Sequence, residues 1–439
     1  MKRTHLRPAV IGKDGRTTAI QRALRQSPLV SGDVPCPSDG RGLNGPDGLA
    51  TLYRWAESYE PDFIVIGPEE PLAVGVVDNL QLKLGIRCVG PTRALAKLES
   101  SKAFTRELVS RRGIPGNPKH RVFRRADLDE LPRYLESLGE FVIKPDGLTG
   151  GKGVRVSGDH LHSVGEALDY ARELLSAHAH DAVVAEERLD GEEFSLQSFC
   201  DGVHVAHMPL VQDHKRARIG DEGPNTGGMG SYSCPDHRLP FLTERDVEAA
   251  RSITEAVAGA LFAETGERYK GILYGGFMLT RDGVRLIEYN ARFGDPEALN
   301  VLPLLKTDFA EICLAILDEG LDRLPIDFAP MATVCKYVVP EGYPDHPVRD
   351  VPIDLSSVPP ESEHLRHYAA ALDPRNGAPY MTGSRAIAFV GIGPSVPEAE
   401  AIAENAASAV RGRVYHREDI GTPALIQRRC DHVTRLRAS

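Results

Sequence analysis

The chain has 439 residues, 41% hydrophobic and 26% charged, with 52 basic against 62 acidic side chains and a net charge of −10. That length predicts two to four domains, and the negative balance excludes a protein whose main work is coating nucleic acid or an anionic membrane. No apolar run approaches the roughly 20 residues of a membrane helix, and the basic start Met1–Arg7 lacks the apolar centre of a signal peptide. The expectation is a cytoplasmic chain with small-molecule substrates, a monomer or weak homo-oligomer. Its seven cysteines are scattered and contain no Cys-x-x-Cys pair, which fits reduced thiols rather than a disulfide framework or a zinc site. His160, His162, His178 and His180 have no ligand partners around them in sequence and do not read as a metal cluster.

The first hundred residues alternate apolar strands with helical patterns, as a parallel α/β sheet does. Pro8–Ile11 reads as a strand ending at Gly12, followed by Ala19, Ile20, Ala23 and Leu24 at helical spacing. Phe63–Ile66 is a second buried strand, closed by Gly67-Pro68-Glu69-Glu70-Pro71, and Ile86–Val89 a third, stopped by Gly90-Pro91. Such sheets place ligands beyond the strand carboxyl ends, so the turns after the first two strands are candidate ligand loops. A smaller α/β unit follows over about 122–187, with strands at Phe141–Lys144 and Ala182–Ala185. A larger region reaches about Leu324, and after Pro325 and Pro330 a last unit carries strands at Ala332–Tyr337 and Ala386–Val390 and an alanine-rich helix from Pro397. The predicted organisation is 1–103, 104–325 (holding the smaller unit), 326–425, and a solvated, frayed basic tail over 426–439.

Three stretches carry chemistry. In Lys144-Pro145-Asp146-Gly147-Leu148-Thr149-Gly150-Gly151-Lys152-Gly153, a strand delivers one lysine and four glycines free the backbone to approach a charged ligand. Lys144 and Lys152 then make a phosphate cradle. Glu186-Glu187-Arg188-Leu189-Asp190-Gly191-Glu192-Glu193 follows an apolar strand, and such an edge suits an adenosine, with a carboxylate for the ribose hydroxyls. In Ile287-Glu288-Tyr289-Asn290-Ala291-Arg292, period-2 alternation puts Glu288 and Asn290 on one face. Two neighbouring oxygen donors suit Mg²⁺, which keeps waters and phosphate oxygens as its other ligands, and Arg292 would neutralise a transferring phosphoryl group or orient a carboxylate.

These elements, in this order, resemble the ATP-grasp ligases. Gln212-Asp213-His214-Lys215-Arg216, Gly223-Pro224-Asn225-Thr226-Gly227-Gly228-Met229-Gly230 and Asn290-Ala291-Arg292-Phe293-Gly294-Asp295-Pro296-Glu297 narrow the match. They resemble the phosphoribosylamine–glycine ligase (glycinamide ribonucleotide synthetase) family of purine biosynthesis. The resemblance implies an α/β protein with an ATP-grasp fold, an N-terminal doubly wound parallel-sheet domain and a small C-terminal α/β domain. It implies an ADP-forming ligation through an acyl phosphate of glycine or a similar small amino acid, with ATP and Mg²⁺ (Mn²⁺ as an alternative). By carry-over, Lys102, Lys144, Lys152, Gly150, Gly151 and Gly153 would bind phosphates, Glu186, Glu187 and Leu189 adenine, and Glu193 the ribose. Glu288 and Asn290 would hold the metal. Arg292, Lys215 and Asp213 would be catalytic, and Pro224, Asn225, Thr226, Gly227 and Gly228 would enclose the acyl phosphate.

The chain departs from the family at the amine end. The family's Gly-Gly-Arg-Glu-His-Ala loop reads Gly12-Lys13-Asp14-Gly15-Arg16-Thr17-Thr18-Ala19. Gly12, Gly15, Arg16, Thr17 and Thr18 remain the expected amine-substrate contacts, with a phosphate at the helix N-terminus. Pro37–Gly42 and Tyr368–Ala371 depart as well. Two readings of the amine therefore stand open, phosphoribosylamine itself or another amine in a specialised paralogue, beside a catalytically silent ATP-binding protein.

Overall fold

The computed structural model describes residues 5–150, 153–176, 180–375 and 377–438. Strands β1 (Pro8–Ile11), β2 (Phe63–Ile66) and β3 (Arg87–Val89) form a parallel sheet in the order β1-β2-β3. The first two are buried throughout, which is why they read as unbroken apolar runs rather than alternating ones. On the far edge of β1 runs the segment 29–38, joined to it by Leu6 N to Leu29 O, Val10 N to Pro35 O and Gly12 N to Ser38 O. The chain thus departs to one side of β1 and returns on the other, a switch point that opens a crevice beyond Ile11.

Helices Arg93–Ser100 and Lys102–Arg111 lead to a four-stranded antiparallel sheet, order β4-β7-β5-β6. Its strands are β4 (His120–Phe123), β5 (Phe141–Pro145), β6 (Arg155–Val156) and β7 (Val183–Glu187). Helices Leu131–Leu138 and Val164–Ser176 share with it a core of its own, including Phe123, Leu135, Ile143, Ala171 and Val183. Beside it stands a second antiparallel sheet. It contains β8 (Glu192–Cys200) and β9 (Val205–His207), joined later in the chain by a long hairpin.

Short strands β10 (Gln212–Asp213), β11 (Arg216–Arg218), β12 (Glu222–Asn225) and β13 (Gly230–Ser233) come next. Helix Glu244–Thr265, opened by a Thr243/Asp246 capping box, precedes the hairpin β14 (Gly271–Thr280) and β15 (Gly283–Asn290), which completes the sheet β15-β14-β8-β9.

In the last third, β16 (Ala332–Pro340) is buried along its whole length. Strands β17 (Val351–Pro352), β19 (Leu372–Arg375) and β20 (Ala378–Met381) form a small outer sheet. Strands β18 (Leu365–Ala369), β21 (Ile387–Gly393) and β22 (Val414–Tyr415) join β16 in the main one. That main sheet has the order β10-β13-β16-β21-β18, so two strands from the 212–233 segment belong to it and it spans the expected division at 325/326. Helix Val396–Ser408 lies so close on β21 that a Cβ at Gly391 would stand 1.9 Å from the Ala399 carbonyl oxygen.

Residues 426–438 are not a frayed tail. Residues Pro423–Ala438 form a helix that buries Leu425 and Val433 and packs Ile426 and Cys430 against the main core. Its arginines obscured that apolar spacing, and Arg429 and Arg437 are themselves paired with acids. Among the described residues, no helix is long and apolar enough to cross a membrane.

Candidate active site

Lys144 stands near the end of β5, whose alternate residues Phe141 and Ile143 face the core. Its ammonium lies 2.7 Å from Glu186 Oε2 on neighbouring β7. Arg106 grips the same carboxylate, with Nε donating to Oε1 at 2.6 Å and Nη2 to Oε2 at 3.1 Å, and it also donates to the Leu286 and Ile287 carbonyls. Burial alone would raise the Glu186 carboxyl, but Arg106 and Lys144 hold it down at about 2. The Glu186 side chain is therefore committed to holding β7 against β15. Glu187 likewise accepts from Lys119 N through its carboxylate at 2.8 Å, while Leu189 lies half-buried at the following turn.

Lys102 donates to the Gly147 carbonyl at 2.8 Å, and burial lowers its pKa. Asp146 accepts from Ser101 Oγ and from Ala103 N, both at 3.1 Å, which ties the root of the glycine-rich loop to the start of helix Lys102–Arg111. Gly150 and Gly153 both hold positive φ, +58° and +86°, as the loop demands. Gly151 and Lys152 lie outside the described residues.

Glu288 and Asn290 share one face of β15, both half-buried. Burial would raise the Glu288 carboxyl, but Lys215, Lys144, Lys102 and Arg292 outweigh it and keep it below its usual range. Asn290 Oδ1 accepts from Arg292 Nη2 at 3.3 Å. No group of three His, Cys, Asp or Glu among the described residues could hold a metal alone. A pair of hard oxygen donors fits an ion that completes its shell with phosphate and water oxygens.

Lys215 Nζ donates to Glu193 Oε2 at 3.0 Å; Glu193, then Glu288 and Asp213, raise its pKa despite burial. Asp213 beside it is pushed well up by burial and by the Glu297 carboxylate, against Lys215 and Arg385. In the 224–228 loop, Thr226 bonds the Lys215 carbonyl through both N and Oγ1, and Pro224 and Asn225 lie on β12. Gly228 (φ +107°) leaves no room for a side chain: a Cβ would come within 2.6 Å of both Asp213 Oδ1 and Pro296 Cδ. Gly228→Ala is expected to lower turnover at least tenfold with the fold retained, checked by steady-state rates beside a thermal melt. Unchanged rates would detach this loop from the chemistry.

Arg292 bridges to two helices, Arg93–Ser100 and Glu69–Ala73, with Nη2 2.8 Å from Glu99 Oε1 and Nε 3.0 Å from Glu69 Oε2. Burial pushes Glu99 up to about 7, whereas Arg292 and Arg16 overcome burial to hold Glu69 at about 2. Glu69 also faces Arg16 at 3.5 Å, so one carboxylate connects the two arginines.

The loop after β1 is built differently from the expectation. Asp14 is the N-cap of helix Gly15–Arg25: its Oδ1 accepts from Thr17 N at 2.9 Å and from Thr17 Oγ1 at 2.8 Å, and its Oδ2 from Arg16 Nε at 2.7 Å. Arg16 is buried and donates onward to the Phe293 carbonyl. Thr18 Oγ1 donates to the Ala369 carbonyl at 2.9 Å. Gly12 packs against Thr17 Oγ1 and Gly15 against the Tyr337 hydroxyl, with no space for a Cβ at either. The helix N-terminus thus already holds a carboxylate, and both threonine hydroxyls bond within the protein. The three departures from the family pattern meet here, through Thr18 to Ala369 and Gly12 N to Ser38 O.

Several residues at the site went unassigned in the sequence. Glu69, Asp295 and Glu297 lie in quoted motifs without a stated role. Glu99 and Arg106 sit in the helices Arg93–Ser100 and Lys102–Arg111, to which the sequence assigned no role beyond Lys102. Arg385, from the turn before β21, donates through Nη1 to the Gly227, Gly228 and Asp295 carbonyls while stacking on Tyr337, 4.6 Å from the ring centre. No local pattern announced it.

Two antiparallel sheets, one carrying Lys144 on a strand and the other ending in the paired oxygen donors Glu288 and Asn290, define an ATP-grasp protein. Biotin carboxylase from Campylobacter jejuni shares this fold at a TM-score of 0.73 and 15% identity, covering 98% of this chain and 99% of that one. Family models for phosphoribosylglycinamide synthetase match in three parts: the N domain over residues 7–99, the ATP-grasp (A) domain over 100–298 and the C domain over 333–423. The chain belongs to the phosphoribosylglycinamide synthetase family. Phosphoribosylamine–glycine ligase of Methanoregula boonei is 51% identical over 437 residues, 97% of this chain and 99% of the relative. That of Methanocella arvoryzae is 46% identical over 438 residues, 98% and 99% respectively. The crystal structure of the Thermotoga maritima phosphoribosylamine–glycine ligase superposes with a TM-score of 0.77 at 25% identity, covering 94% of this chain and 100% of that one.

Proposed function

We propose that the chain is the ATP-dependent ligase that joins glycine to phosphoribosylamine, forming glycinamide ribonucleotide, ADP and phosphate. The observation that carries the chemistry is the gathering of Lys215, Lys144, Lys102 and Arg292 within electrostatic reach of Glu288, positive charge suited to a phosphoryl group passing between two anions. The relatives carrying this activity in their names match over nearly the full length of both chains. For that reason an amine other than phosphoribosylamine is not favoured, and neither is a silent ATP-binding protein.

A glycine carboxylate oxygen attacks the γ-phosphorus of ATP, the bond to the bridging oxygen breaks, and ADP leaves with that electron pair. The amine nitrogen then attacks the acyl carbon, and phosphate departs with the electrons of the C–O bond. Lys102 and Lys144 would neutralise nucleotide phosphates, together with Lys152 and the glycines 150, 151 and 153. The backbone of Glu186–Leu189 would pair with adenine, and Glu193 would take the ribose. Glu288 and Asn290 would hold Mg²⁺, or Mn²⁺, which when bound offsets phosphate charge. Arg292 would orient the carboxylate. The 224–228 loop, held down by Arg385, would keep water from the acyl phosphate. Asp213, paired with Glu297, would take the proton that the amine loses. At the amine end Gly12 and Gly15 would give close backbone approach and Arg16 positive charge, while Thr17 and Thr18 would shape the loop rather than bind directly.

The test is to trap the intermediate. Glycine with ATP and Mg²⁺ is expected to give glycine hydroxamate in the presence of hydroxylamine, a nucleophile that needs no phosphoribosyl pocket. Phosphoribosylamine is expected to replace it as acceptor. Absence of hydroxamate with glycine would overturn the shared mechanism, and hydroxamate without turnover of phosphoribosylamine would overturn the amine assignment.

A further inference from the structure

The helix Pro423–Ala438 begins where the family match ends and has no part in the chemistry above. It nonetheless reaches the back of the nucleotide site. Arg429 Nη1 lies 3.2 Å from Glu192 Oε2, while its Nη2 pairs with Asp221 Oδ2. Glu192 opens β8 and immediately precedes Glu193. Asp221 sits in the turn between β11 and β12, on the same excursion of chain that carries Lys215. The other oxygens of both carboxylates are taken too: Glu192 Oε1 by His432 Nδ1 at 2.7 Å and Asp221 Oδ1 by Arg417 Nη1 at 2.9 Å.

The catalytic segment alternates between two faces. Asp213 and Lys215 look toward the site. His214 between them is buried against Arg417 and Arg429, with neither ring nitrogen hydrogen-bonded. Burial and these arginines press its pKa to about 3, so it meets them as a neutral ring. Arg417, fully buried, also donates to the Arg216 carbonyl at 3.1 Å and to both oxygens of Asp419.

We propose that Arg429 is a positioning residue for the nucleotide site, acting through Glu192 and Asp221 to set the distance between Glu193 and Lys215. This rests on the placement of Glu193 and Lys215 at the nucleotide. The physical reason is charge. Without the guanidinium, the carboxylates of Glu192 and Asp221 lose the cation that bridges them, each keeping its own partner, His432 and Arg417, and their repulsion across the gap loosens β8 from the 213–221 chain. The side chains displaced are those that meet the ribose and phosphates, whereas the carboxylate end near Arg292 is anchored separately by Glu69 and Glu99.

The experiment is ADP release from the full chain with each substrate varied in turn. Arg429→Gln is expected to raise KM for ATP about tenfold, with KM for glycine within about twofold and kcat within about threefold of the parent. Arg429→Lys keeps the charge without the fork and should fall between them. Arg437→Gln, which breaks this helix's pairing with Asp246 at its far end, should leave KM for ATP unchanged. An unchanged KM for ATP in Arg429→Gln, an equal rise in Arg437→Gln, or a parallel loss in every parameter would overturn the proposal. Should Arg429→Gln fail to fold, Arg429→Lys decides alone: a raised KM for ATP at constant KM for glycine supports positioning, and an unchanged one overturns it. A parent enzyme that releases no ADP would instead bring down the site assignment itself.

Discussion

Glu288→Gln is expected to reduce ADP release with glycine on the order of 100-fold or more while the melting temperature stays within a few degrees of the parent. The substitution keeps the shape and one oxygen but removes a full negative charge, because Glu288 is held ionised well below neutrality by the lysines and Arg292 around it. A metal ion held by Glu288 and Asn290 would then have two neutral amide oxygens from this pair in place of a carboxylate and an amide. Four cations also lose a central counter-charge, which favours retention of the nucleotide product. Added Mg²⁺ should recover part of the rate by mass action and none of the charge balance. Near-normal turnover at ordinary Mg²⁺ would take Glu288 out of the metal site.

The second large effect is on stability. Arg106→Met should cost about 3–5 kcal/mol, because it leaves the buried Glu186 carboxylate with Lys144 alone and frees two carbonyls of β15. For a chain of this size that corresponds to a melting temperature lower by roughly 3–6 °C. The pH dependence has a definite sign. Glu186 is held at about 2 against 4.5 for a free glutamate, so its stabilising contribution is complete above about 4.5 and disappears as pH falls toward 2. The variant should therefore unfold at higher pH than the parent in an acid titration, and adding Glu186→Gln should restore part of its thermal stability. A melt superposable on that of the parent would show that this ion pair does not hold the two sheets together.

Much of this was legible in local pattern. Strands Pro8–Ile11 and Phe63–Ile66 could be read because strands covered on both faces are uniformly apolar. Period-2 alternation placed Glu288 and Asn290 side by side correctly. What could not be read is pairing at a distance. Arg106 and Glu186 are 80 residues apart, and Arg385 reaches Gly227 across 158. A lone arginine on a helix or at a turn carries no mark of the partner it will find. The Asp14 cap belongs to neither class: Asp14-Gly15-Arg16-Thr17 has the spacing of a helix start, and its capping carboxylate lies between Gly12 and the departures at Thr17 and Thr18. The C-terminal helix is hard to read because its eight polar or charged residues, four of them arginines, look like solvated chain, although Leu425, Ile426, Cys430 and Val433 recur at helical intervals.

The shared sheet β10-β13-β16-β21-β18 also bears on how this protein can be taken apart or recombined. Gln212–Asp213 and Gly230–Ser233 supply two strands of a layer whose remaining strands come from beyond residue 331. A fragment ending near 325 would keep β13 but lose β16, exposing a row of unpaired backbone groups along an apolar edge, the template on which chains associate with one another. The fragment beginning near 326 would bare the matching edge of β16. Neither half is a portable module. A chimera between relatives that exchanges the C-terminal third will retain its sheet only if the 212–233 excursion travels with it, and the two fragments made separately should be insoluble alone and recover each other when co-expressed.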